Sequence, residues 1–275
     1  MRPSVRHTGA PWPGCRTFGC VELASFIESH RRAFLVTCTA QGTPTAHPMT
    51  LIPHDGVIYF NTYRKSAKVR NLERDPRVAC LATSPDGGAW AAVQGRAEVV
   101  PASELPAGLL GGGQSDVMSD EDLARVRERL ASGKRVYLRV AATSVTGADG
   151  PGALPAPVDG GPRAWESGLV TSAIAMTAAE VEAFLRDHSI AAFASLDGTG
   201  SPQVQLARYR GGPGDLVVGA DADGPVCLTV DEFPTYNEIR GVMVHGSAHA
   251  LGGRAGVVPE RVLSFDFRKI GRGGG

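Results

Sequence analysis

Four residues of this 275-residue chain, Arg64, Lys65, Ser66 and Lys68, stand close enough in sequence to hold an anion together. They fall at the start of a helix that the sequence predicts from Arg64 to Asp75. Pro76 sets its end, because proline disfavours helical geometry in the residue before it. Ahead of the helix, Val57 to Phe60 reads as the end of a strand, followed by Asn61 and Thr62, both suited to cap a helix. On a helix, Arg64 and Lys68 are four apart and Lys65 and Lys68 three apart, so three cations would share one face. A helix N-terminus is itself partly positive and favours cations least. They make sense there if an anion sits among them, held by free backbone N–H groups and the Ser66 hydroxyl. The competing reading is an ordinary solvated basic face, and spacing leaves both open.

Other chemistries find little support. No GxSxG or Ser–His–Asp pattern is recognisable. The five cysteines (15, 20, 38, 80 and 227) form no CxxC pair and no Cys/His zinc spacing. Cys38 and Cys80 sit in apolar, strand-like runs and read as free core thiols. His245 and His249 alternate on one strand face, but a metal would need a third ligand that the sequence does not show. Lys plus Arg and Asp plus Glu balance at 28 each, so no global field draws nucleic acid or an anionic membrane. The apolar runs are too short to span a bilayer, and the first residues lack a signal-peptide layout. The expectation is a cytoplasmic protein whose partner is a small molecule, with neither nucleic acid nor membrane.

The elements that would position these residues are mostly strands. Val21–Arg31 carries a helical apolar stripe. Residues 33–39, 45–52, 56–60, 78–83, 89–100 and 136–140 read as strands, with turns at Gly42, Gly56 and Ser84–Gly88. Asp120–Leu130 is a charged amphipathic helix. Residues 1–20 read as a tail and 148–176, rich in Gly and Pro, as a linker. Beyond it the pattern repeats. Phe26 and His30 recur as Phe184 and His188, Gly42 and Pro44 as Gly200 and Pro202, and VQGRAE (93–98) as VHGSAH (244–249). Between Asp221 and Val226 the second copy has only Ala-Asp-Gly-Pro, where the first has the basic helix. The chain therefore divides into half 1 (21–147), with the helix, and half 2 (177–275), without it.

Short strands with glycine-bearing turns suggest a small antiparallel barrel in each half. Each half resembles the flavin-binding split barrel of the pyridoxamine 5'-phosphate oxidase-like superfamily. Four pieces of half 1 carry the resemblance: Gly42-x-Pro44-x-x-His47-x-Met49, Tyr59-Phe60-Asn61-Thr62, Ser66-x-Lys68-x-x-Asn71-Leu72-x-x-Asp75-Pro76-Arg77-Val78, and Val93-x-Gly95. In half 2, Ile239-Arg240-x-Val242-x-Val244-x-Gly246 matches the corresponding strand.

The resemblance implies a mainly β (α+β) fold, two tandem split barrels packed as an intramolecular pseudo-dimer, with the cofactor in the cleft between them. It implies that FMN binds there, its phosphate on Ser66 and Lys68 with help from Arg64 or Lys65. His47, Met49 and Thr50 would run beside the ring, and Asn61 and Thr62 would meet the ribityl chain or ring edge. Trp90 stands where related oxidases often carry Gln, and His47 where many carry a phosphate-gripping Arg. The implied activity is oxidoreduction of a small organic molecule by hydride transfer. The alternatives are a deazaflavin F420-dependent reductase, which the Asn-Leu-x-x-Asp-Pro-Arg run also resembles, and a non-enzymatic flavin or haem binder. Arg240 and Tyr236 are the polar residues of half 2 expected near the cleft. With one phosphate helix per chain, one cofactor per chain is expected, in a monomeric pseudo-dimer or a homodimer of such chains.

Overall fold

The computed structural model describes residues 20–106, 109, 120–157, 165–234 and 238–269. Six strands of half 1, β1 (Arg32–Cys38), β2 (Pro44–His54), β3 (Val57–Tyr63), β4 (Arg77–Thr83), β5 (Ala89–Val100) and β6 (Arg135–Asp149), close a barrel in the order β1-β2-β3-β6-β5-β4. All neighbours are antiparallel. Alternation explains how one strand serves two cores. In β1, Ala33 and Leu35 point into the barrel, whereas Phe34 and Val36 point outward into a second apolar cluster. Both faces are covered, so β1 and β4 read as nearly continuous apolar runs. Among the helices, α1 (Cys20–Ser29) and α2 (Ala67–Arg74) pack on barrel 1. Val69 and Leu72 of α2 enter its core. The next, α3 (Asp120–Ala131), covers an outer face through Val126 and Leu130 on Ile52, Tyr59 and Tyr137.

Half 2 repeats the plan. Its helix α4 (Ala178–Asp187) precedes β8 (Ile190–Leu196), β9 (Pro202–Arg210), β10 (Val217–Val218), β11 (Gly224–Glu232), β12 (Arg240–Ala250) and β13 (Ala255–Asp266). The sheet runs β10-β9-β8-β11-β12-β13, and β10 also pairs with β13, so the two-residue strand closes the ring. Residues 219–223, between β10 and β11, contain no helix. One strand comes from the segment whose composition suggests a linker. There β7 (Leu169–Val170) adds in parallel to β13, and Trp165 and Met176 are buried in the second core. Gly and Pro mask this in the sequence, because two anchoring side chains cannot shift a composition average.

The repeat extends to fine geometry. Both barrels carry a β-bulge at a glycine, at Gln94/Gly95 and at His245/Gly246. A Cβ on Gly95 would lie 2.2 Å from the Ala141 carbonyl oxygen, and one on Gly246 2.1 Å from that of Val258. Both helix ends are finished alike. His30 Nδ1 lies 2.8 Å from the Phe26 carbonyl oxygen and His188 Nδ1 2.7 Å from that of Phe184, each imidazole against its phenyl ring. The repeated Phe-x-x-x-His is a helix C-cap.

The barrels pack face to face. Phe34, Val36, Ala46, Ala79, Leu81 and Ala92 meet Ala192, Ala194, Val204, Leu206, Cys227 and Met243. Polar ties flank this apolar contact: the Thr229 hydroxyl donates to the Ala46 carbonyl at 2.9 Å, and Gln94 Nε2 to that of Pro202 at 3.1 Å.

Candidate functional site: a cationic cluster at the start of helix α2

The basic helix starts later than its sequence suggests. β3 continues through Tyr63, which pairs with Arg135 of β6, so Asn61 and Thr62 are strand residues and not caps. Arg64 and Lys65 occupy the turn, exposed, and the helix begins at Ala67 with Ser66 as its N-cap. The three cations therefore do not share a helix face, because pairing to β6 holds the chain extended for three residues more. What replaces that face is a cluster assembled from separate elements.

Ser66 makes no capping bond through its side chain. Its hydroxyl instead lies 3.3 Å from that of Thr62, which is buried in β3. No acidic residue occupies the first turn, so nothing on the helix offsets the positive end of its dipole. Arg135, buried at the start of β6, donates to Asn61 Oδ1, and its guanidinium lies 4.3 Å from the centre of the Tyr63 ring. Asn61 Nδ2 is buried and finds no partner among the described residues. Lys68 projects from the first turn of α2 and has no carboxylate partner among them either.

Charge is crowded here. Burial, then the neighbouring Arg135, lowers the Lys68 pKa to about 8. His47 on β2 is pushed well below the usual imidazole range by burial, then by Lys68 and by His245. It is consequently neutral at pH 7 and does not stand in for a cationic Arg. Its Nε2 lies 3.4 Å from the Thr45 hydroxyl. His245 comes from β12 of half 2, so the cluster spans the two barrels. Burial and Arg261 bring its pKa to about 4, and its buried Nδ1 has no partner among the described residues. Two hydroxyls, Ser66 with Thr62, and an Arg135–Asn61 pair thus stand at this end of α2. Lys68 and Arg135 influence one another, as do His47, Lys68 and His245, and Lys68 has no carboxylate partner among the described residues.

The other expected residues are placed elsewhere. Met49 packs on the core of barrel 1, and Thr50 lies opposite Arg32 in the β1–β2 register. Trp90 lies on β5, three strands from β2 in the barrel order, and its Nε1 donates to the Gly150 carbonyl at 2.9 Å. There it packs beside Ile190 at the inter-barrel contact. Arg240 forks onto Glu232 and stacks on Phe184, and Tyr236 lies outside the described residues. His245 is the residue of half 2 that reaches the cluster. Arg135 and His245 escape sequence reasoning because their neighbours are fixed by barrel closure and by barrel packing, not by local spacing. The sequence singles out His245 only for its alternation with His249, a pair too small to hold a metal; no group of three or more metal ligands is found among the described residues.

The Asn-Leu-x-x-Asp-Pro-Arg run positions the helix instead of touching the cluster. Asn71 Nδ2 donates to the Thr37 hydroxyl at 3.0 Å, and Leu72 is buried. Arg77 forks onto Asp75 at 3.0 and 2.7 Å, holding that carboxyl below its ordinary range. Its Nη1 also reaches the Thr199 carbonyl at 3.4 Å, a link to half 2.

Residues 21–147 match the family model described as pyridoxamine 5'-phosphate oxidase. A conserved hypothetical protein of Mycobacterium tuberculosis, Rv2991, is 30% identical over 49% of this chain and 86% of its own, with a TM-score of 0.39. The chain belongs to the pyridoxamine 5'-phosphate oxidase family. General Stress Protein 26 of Bacillus anthracis is 20% identical over 46% of this chain and 91% of its own, TM-score 0.38. An F420 reductase is 22% identical over 44% and 94%, TM-score 0.33. No curated protein matches. Within this family member, the matched residues contain β2, β3, α2 and all but the last two residues of β6, so every residue of the cluster except His245 lies inside the family segment. No helix of the described residues is long and apolar enough to cross a membrane.

Proposed function

We propose that this chain is an oxidoreductase that holds FMN between its two barrels and acts on a small organic molecule. The observation that carries the reading is Lys68 at the first turn of α2, crowded by Arg135 and without a carboxylate partner among the described residues. A phosphate monoester fits it: Lys68 and Arg135 supply charge, the Ser66 and Thr62 hydroxyls and the first N–H groups of α2 donate, and Asn61 Nδ2 offers an unused donor. When bound, the flavin supplies hydride transfer, and the protein binds and orients it. Neutral His47 and His245 flank the phosphate as hydrogen-bond partners without adding charge. His245 closes the site from half 2, so one chain builds one complete site, because half 2 has no helix equivalent to α2.

Absorbance titration of the purified protein with FMN and, in parallel, F420 tests this. One FMN per chain, with binding lost in Lys68→Ala, supports the reading. Tighter binding of F420 transfers the same site to a deazaflavin reductase. A Soret band with added haem, or no binding of any of the three, sinks it.

A further inference from the structure

A second polar site lies at the contact between the barrels. In barrel 1 the β1–β4 register pairs Ala33 with Ala82, and in barrel 2 the β8–β11 register pairs Ala192 with Thr229. Extended to the strand ends, these place Arg32 opposite Thr83 and Ile190 opposite Asp231. The two barrels meet there, with Arg32 of one facing Asp231 of the other. In a symmetric dimer of identical barrels, Arg32 would meet Thr83 of the other copy. Here Arg32 takes the place equivalent to Ile190, and Thr83 the place equivalent to Asp231.

A cavity of about 300 Å³ opens among these four residues. Its apolar walls include Phe34, Ile190 and Leu206, and Asp86 and Asp187 also line it. Arg32 Nη2 donates to Asp231 Oδ1, across the barrels, and to the Asp231 carbonyl at 3.2 Å. The pair is one-pronged. It leaves Arg32 Nε, Asp231 Oδ2 and Thr83 Oγ1 all buried and without a hydrogen-bond partner among the described residues. The Asp231 side chain is 1% exposed. Three unsatisfied atoms from three strands, beside one cavity, each cost free energy unless something fills them.

We propose that this cavity binds a small uncharged molecule through a primary carboxamide. Its carbonyl accepts from Arg32 Nε–H, its two N–H groups donate to Asp231 Oδ2 and Thr83 Oγ1, and a planar apolar body lies against Phe34, Ile190 and Leu206. A carboxylate is disfavoured by Asp231, Asp86 and Asp187. A hydrocarbon leaves all three polar atoms unpaired.

Benzamide is a suitable probe, with benzoate and toluene as controls, read by ligand-observed NMR and thermal shift on the full chain. The site predicts saturable binding of benzamide and at least tenfold weaker binding of both controls. Thr83→Val, nearly isosteric, weakens it about fivefold. The double variant Arg32→Met/Asp231→Leu removes both charges together, avoids a lone buried ion, and abolishes binding with the fold retained by circular dichroism. Lys68→Ala leaves benzamide binding unchanged, which separates this site from the anion site. Benzamide binding that survives both cavity variants overturns the proposal. So does the absence of saturable binding to the folded wild type, which would leave water as the occupant.

Discussion

Lys68 illustrates how a single side chain ties a site to pH. Folding lowers its pKa to about 8 from a free value near ~10.4, so the protonated form is disfavoured in the unliganded fold. That cost is present below pH 8 and fades as pH rises toward ~10. Lys68→Met therefore leaves the unliganded Tm unchanged or higher, while weakening FMN by about 10- to 100-fold, the usual worth of a charged hydrogen bond; calorimetry and titration together check both arms. The wild-type affinity falls as pH climbs above 8, because binding must then draw a proton onto Lys68, and the Met variant loses that slope. His245 acts with the same sign in a lower pH window. Its folded pKa of about 4 lies below that of a free imidazole, near ~6.5. Unfolding takes up a proton between these values, so stability drops as pH falls from ~6.5 toward 4. His245→Gln, borrowing the residue at the equivalent bulge in half 1, flattens that part of the acid limb in urea titrations at stepped pH.

The elements explain what the sequence could and could not reveal. The strands of both barrels were legible because alternation and glycine turns are local signals, and the repeat was legible because Phe-x-x-x-His caps a helix through contacts four residues apart. The start of α2 was not, since Asn61 and Thr62 have cap chemistry yet are held in β3 by pairing with β6, some seventy residues away. Arg135 was invisible for the same reason. The bulge glycines were legible only as a motif; their reason is the neighbouring carbonyl. Gly246→Ala drives a Cβ into the Val258 carbonyl and costs about 1–3 kcal/mol, and Gly95→Ala costs a similar amount against Ala141. Urea unfolding of both variants checks this, and a cost near zero in either would mean that the bulge can shift.

At the scale of the molecule, the contact between barrels is a third core. Phe34, Val36 and Leu81 are almost wholly buried there, and a free half 1 would expose them to water. Half 1 expressed alone, residues 21–149, is expected to self-associate or aggregate, read by light scattering; a soluble monomer would show the third core to be dispensable. A dimer made from two such halves would carry two copies of α2 and two clusters, whereas the fused chain has one. The covalent link has another result, seen at Arg32 and Asp231. When two identical subunits meet about an axis, any change near it is made twice, so a contact between two positions appears in two identical copies. In one continuous chain each side varies by itself, so opposite charges can be written on the two faces of a single contact. That pair also labels the faces: Arg32 of barrel 1 meets a carboxylate on barrel 2, whereas another barrel 1 would offer it only Thr83. Joining the halves thus converts a contact between likenesses into a lock with a distinct key.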